Sequence, residues 1–98
     1  MTGAAMIAKE RDRQILEEGY DAAHDRYHTD NELAIAAACY AVNGIEGIQV
    51  SEWGEDAFPF VEEDDRRRKH GRIRSLAIAG ALCAAELDRL LAEGEGAA

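Results

Sequence analysis

The stretch ELAIAAACYAV, residues 32–42, decides the fold. Read as a helix it is apolar on nearly every side, and such a helix must be surrounded by protein. Just before it, Thr29 and Glu32 make the S/T-x-x-E pattern of a capping box, which starts the helix at about Asp30. It runs to about Asn43, and Gly44 ends it. In a chain of 98 residues, two other helices can hardly cover it all round. The pattern therefore predicts a subunit interface here, and a homo-oligomer.

Working outward, Thr2 caps a first helix over about 3–18, with Gly19 as its stop. Its apolar face is thin, with Ala4, Ala8, Ile15 and Ile7 at helical spacing and Arg11 on the same side. On the other flank, residues 45–61 hold two glycines, the lone proline and a short alternating stretch from Ile45 to Val50. They read as a long ordered loop with a short strand or hairpin. A third helix spans about 64–92, with Ile73, Leu76, Ala77, Gly80, Ala84, Leu87 and Leu91 in one stripe close to a heptad spacing. The expected fold is all-α: a three-helix antiparallel bundle forming a single domain over 1–93. Its helices lie at about 3–18, 30–43 and 64–92, and residues 94–98 form a frayed tail.

Charge narrows the function. The chain carries 20 acidic residues against 11 basic ones, a net −9. Six of those basic residues fall in RRRKHGRIR, Arg66–Arg74, so the segment is +6 and the remainder −15. That balance excludes an extended polyanion such as DNA laid over the surface. It permits one small phosphate-bearing ligand at the island, where arginine forks suit phosphate oxygens. The solvated-helix explanation stands beside it: Glu62, Glu63, Asp64 and Asp65 precede Arg66–Lys69 at i,i+4. It leaves Arg72 and Arg74 without an acid four positions earlier. No apolar run approaches the roughly 18 residues of a membrane span, and the two cysteines do not suggest a disulfide framework. A cytoplasmic, membrane-free protein is expected.

Catalytic patterns are incomplete. His24 and His28 share a helix face at i,i+4, with Asp25 between them and Asp21, Asp30 or Glu32 as a third metal ligand. Hydrogen bonding within a polar loop is the commoner role for such histidines. Cys39 and Cys83 fall on apolar helical faces, the usual place of inert core thiols. Glu52-x-x-Glu55 and Glu62-x-x-Asp65 have the spacing of Mg²⁺-binding carboxylates, but lie too close together for two facing helices. Tyr20, Tyr27, Trp53, Phe58 and Phe60 sit in or beside the irregular segments flanking the island. An aromatic face for a base and arginines for phosphate form the minimum kit of a nucleotide pocket, although Phe58 and Phe60 also suit the core.

ERDRQILEEGYDAAHDRYHTDNELAIAAACYAV (10–42) and DDRRRKHGRIRSLAIAGALCAAELDRL (64–90) resemble a group of small phage and prophage proteins. The group's pattern is R-x-R-Q-I-x-x-E-G, then H-D-x-x-H, an Ala-rich helix, a Trp/Pro loop and a final R-R-bearing helix. Matching positions are Arg11, Arg13, Gln14, Ile15, Glu18, Gly19, His24, Asp25, His28, Arg66–Arg68, Ala79, Leu82, Glu86 and Arg89. The loop departs, reading WGEDAFPF where the group has Trp-Pro-Trp. The resemblance implies an all-α, phage-derived protein acting inside an infected bacterium. In size and make-up the chain is also similar to phage sponges of the Sequestin and Lockin types, and to MazG-like pyrophosphohydrolases.

Three functions follow as expectations. The favoured one is a non-enzymatic sponge for a small nucleotide signal. Its ligand-binding residues would be Tyr20, His24, Asp25, His28, Trp53, Arg66, Arg67, Lys69 and Arg72, with no cofactor and no catalytic residue. The second is a MazG-like hydrolase with Mg²⁺ on Glu17, Glu18, Asp21 and Glu86. The third is a helical protein-interaction module.

Overall fold

A computed structural model describes residues 1–18, 31–48, 50, 67 and 70–94. Among them are three α-helices and no strand: α1 (Gly3–Glu18), α2 (Glu32–Ala41) and α3 (Arg72–Ala92). The all-α class is the one the sequence predicts. No helix of the described residues is long and apolar enough to cross a membrane.

Both other helices pack on α3. Leu33, Ala36, Ala37 and Tyr40 of α2 meet Ile78, Ala79, Leu82 and Ala85 of α3 in the core. With four alanines among eight core side chains, the two helices can approach closely. α2 is less enclosed than its composition predicts. Ala34, Ile35 and Ala38 are exposed, and only Ile35 among them is large. Exposed alanines cost little, so one broad contact with α3 satisfies most of this helix.

The burial of α1 reverses the expectation. Ala4, Ala8 and Ile15 are exposed, while the buried residues are Glu10, Arg11 and Gln14, with Met6 and Ile7 half-buried. Ion pairs explain it: Glu10 meets Arg74 of α3 at 2.7 Å and Arg11 meets Asp88 at 3.1 Å. Apolar periodicity cannot detect a face that is buried through paired charges.

The α3 stripe is likewise redistributed. Of its seven residues only Ala77 is buried, while Ile73, Leu76, Leu87 and Leu91 are exposed. The side turned inward carries Ser75, Ile78, Ala79, Leu82, Ala85, Glu86 and Arg89. α3 has apolar residues on two faces, and periodicity alone does not say which one a neighbour covers.

Helix ends show where local chemistry is legible. Thr2 caps α1 as expected, its Oγ1 accepting from the Ala5 amide at 3.1 Å. α2 begins at Glu32 with Asn31 as N-cap in the left-handed region, at φ 64°. Glu32 is thus the first helical residue and not the third, so it does not occupy its capping-box position. Thr29 lies outside the described residues. α3 begins at Arg72 and not at Asp64: His70 and Gly71 are non-helical, and Gly71 is extended at ψ −175°. The acid–base pairs expected over 62–69 lie outside the described residues, Arg67 apart. At the other end α3 stops on schedule at Ala92, with Gly94 at φ 85° supplying the left-handed exit.

Gly80 is where α1 touches α3 most closely. A Cβ there would lie 2.5 Å from Ile7 Cδ1 and 2.6 Å from Cγ1. Ile7 is β-branched and yields poorly. Gly80→Ala gains about 1 kcal/mol of helix propensity but overpacks the contact by about 1–3 kcal/mol. Net destabilisation of about 1 kcal/mol is expected in urea melts, and Ile7→Ala in the same chain should abolish it.

Candidate anion-binding segment before α3

The Asn43 amide holds the backbone of the basic island at two of its carbonyls. Asn43, just past the end of α2, donates from Nδ2 to the Arg67 carbonyl at 2.7 Å, to Ser75 Oγ at 2.9 Å and to the His70 carbonyl at 3.3 Å. Ser75 is fully buried in α3 and its hydroxyl also reaches the His70 carbonyl at 3.5 Å. A side-chain amide has two N–H donors, so these acceptors share them. The backbone entering α3 is thereby held against the exit of α2.

Arg72 completes the knot. Its Nη1 donates to the carbonyls of Ala41, at 2.5 Å, and Asn43, at 2.8 Å. Helix C-termini leave carbonyls without intrahelical partners and carry negative partial charge, so a guanidinium is well placed there. The guanidinium expected to hold phosphate thus has its Nη1 on backbone carbonyls. It lacks an acid four residues earlier because its partners are backbone carbonyls of another helix, which no charge count reveals.

Arg74 is also engaged. Glu10, 1% exposed, accepts from Arg13 Nε at 2.8 Å and Nη2 at 2.6 Å through Oε1. Arg74 Nη1 lies 2.7 Å from Oε2, as a charge contact off the hydrogen-bonding line. Among the described residues the start of α3 has no side-chain cap, and its first turn holds no acid. Its first amides therefore face outward with positive partial charge, next to the Arg-rich segment.

Further along α3, Arg89 bonds Glu86 at 2.5 Å and Glu93 at 2.9 Å. The bond to Glu86 holds the Arg89 guanidinium above its ordinary pKa. A raised value means that this stabilisation is present at neutral pH and is lost, on the basic side, only in strong alkali. Glu86 Oε2 and Gln14 Oε1 are buried with no hydrogen-bond partner among the described residues. Arg89→Met should therefore lower the thermal midpoint by stranding the Glu86 charge, and Glu86→Leu in the same chain should restore it.

Of the ligand residues expected from sequence, Arg67 and Arg72 are described. Arg67 is half-buried and contributes its carbonyl to the knot. Tyr20, Asp21, His24, Asp25, His28, Trp53, Arg66 and Lys69 lie outside the described residues. Among the described residues no group of three or more His, Cys, Asp or Glu could hold a metal ion. In the hydrolase set, Glu17 pairs with Arg13 at 3.4 Å and Glu86 with Arg89. Cys39 is buried as expected, whereas Cys83 is exposed. Asn43, Ser75 and Glu10 are the residues that sequence reasoning missed. Asn43 stands beside the Gly44 stop and could have been flagged as a cap-region side chain; nothing local marks Glu10.

A separate cleft of about 200 Å³ lies between Gly3, Met6 and Ile7 of α1 and Ile73, Leu76 and Ala77 of α3. Its lining is apolar and unsuited to phosphate. Comparison of the chain with known protein families, with curated proteins and with solved structures gives no match.

Proposed function

We propose that the chain binds a small phosphate-bearing nucleotide at the basic segment before α3 and releases it unaltered. The observation that carries this reading is the anchoring of Arg67 and His70 by Asn43. A charged segment held at its backbone loses less entropy on binding than a free one. The uncapped start of α3 supports the reading by adding outward amides to the arginines. Arg66, Arg67 and Lys69 take the phosphates, while Arg72 shapes the site by fixing the exit of α2. Tyr20 or Trp53 stacks the base, and His24 and His28 donate hydrogen bonds. The resemblance to phage and prophage proteins supplies the setting, a sponge that removes a nucleotide immune signal inside the infected cell.

Native mass spectrometry against nucleoside mono-, di- and triphosphates and cyclic dinucleotides tests this. One nucleotide per protomer, recovered intact after denaturation and lost as salt rises, is the expected result. Combined Arg66→Glu and Arg67→Glu substitution should weaken binding at least about tenfold, or about 1.4 kcal/mol, with helical circular dichroism unchanged. Pyrophosphate release that depends on Mg²⁺ would replace the sponge by a hydrolase. Binding of none of the panel would end the nucleotide reading.

A further inference from the structure

The geometry points to a two-fold dimer in which α3 packs antiparallel against α3 of a second copy. It rests on the exposed side of α3 and not on nucleotide binding, so either reading can fail alone. Ile73, Gly80 and Leu87 recur every seven residues, as do Leu76, Cys83 and Leu90, giving an a/d seam along the helix. Ile73 is 71% exposed, Leu76 47% and Leu87 60%; Cys83 is also exposed, and Gly80 and Leu90 are half-buried. This face is turned away from the α2 contact and is bordered by α1, whose Ile7 sits over Gly80.

The seam matches itself when reversed. From either end it reads large, large, small, small, large, large: Ile73, Leu76, Gly80, Cys83, Leu87, Leu90. A two-fold axis at its middle sets Ile73 opposite the second copy's Leu90, and Leu76 opposite its Leu87. An isologous interface requires this reciprocity. Within each chain, Ile7 fills the notch over Gly80 and completes the middle layer.

The helix dipoles favour the antiparallel orientation. The described charges at the two ends of α3, Arg72 and Arg74 at one and Glu86, Asp88 and Glu93 at the other, are engaged within the chain. A parallel pair would set like ends of the two α3 dipoles side by side; the antiparallel pair sets opposite ends together. The amount of surface is also suitable. Ile73, Leu76, Leu87 and Leu91 together expose on the order of 400 Å². A standard interface buries about 800 Å² per partner, a little over half of it apolar.

Analytical ultracentrifugation of the full chain should give twice the 10.7 kDa chain mass at micromolar concentration, and a monomer throughout that range overturns the inference. Leu87→Asp should weaken the dimer at least about a hundredfold, about 2.7 kcal/mol, while helical circular dichroism is kept. A dimer indifferent to that change also overturns it. Orientation is read by oxidising a mixture of Leu76→Cys and Leu87→Cys chains, both carrying Cys83→Ser. The 76–87 cross-link should dominate, because the two 76 positions of an antiparallel pair lie about 16 Å apart along the axis, beyond disulfide reach. Dominant 76–76 linkage overturns the antiparallel arrangement.

Discussion

An Arg72→Glu chain is expected to lose about 3–5 kcal/mol of unfolding free energy in urea titrations. Two bonds from a guanidinium to the carbonyls of Ala41 and Asn43 disappear, each a charge-assisted contact. The incoming carboxylate then meets the negative end of α2 instead of compensating it. Domains of this size have about 5–15 kcal/mol in all, so the loss should be visible as partial unfolding at 37 °C. Arg72→Met, which keeps much of the aliphatic stem, should cost less, about 2 kcal/mol. A neutral Arg72→Glu chain would mean that these carbonyls are equally well served by water.

Asn43→Ala comes next, at about 2–4 kcal/mol. It removes the donor shared by the Arg67 and His70 carbonyls and leaves the buried Ser75 hydroxyl with only the long bond to the His70 carbonyl. Asn43→Asp should be at least as harmful despite equal size. It offers acceptors to three acceptors, leaving Ser75 Oγ alone able to donate. Hydrogen exchange separates this from general loosening. Core amides of α2 should lose protection only to the extent of the global change, while the first hydrogen-bonded amides of α3, from Ser75 on, exchange much faster.

Much of the helical layout is legible in the residues. α1 ends at Glu18 beside Gly19, and Thr2 and Gly94 mark helix ends by chemistry local to a few positions. Those signals need no knowledge of the rest of the chain. The start of α3 was misplaced because the acidic and basic runs before it support a longer helix locally. Asn43, far away in sequence, instead takes the carbonyls of Arg67 and His70. The burial of Glu10 failed for the same reason, since its second partner, Arg74, arrives from another helix. Side choice failed on α3, where Ile73, Leu76 and Leu87 fit a heptad as well as core residues would. Of the candidate site, the island of charge was legible but Arg72's true partners were not. A charge count does not register backbone carbonyls.

The Asn43 amide also sets the terms on which the chain can change. It joins positions 24 residues apart, Asn43 and Arg67, and does so beside the α2–α3 contact. Closing a longer loop at the same clasp adds only about 0.6 kcal/mol for each doubling of length. Added length between Gly47 and Arg67 should therefore cost the fold little through loop closure.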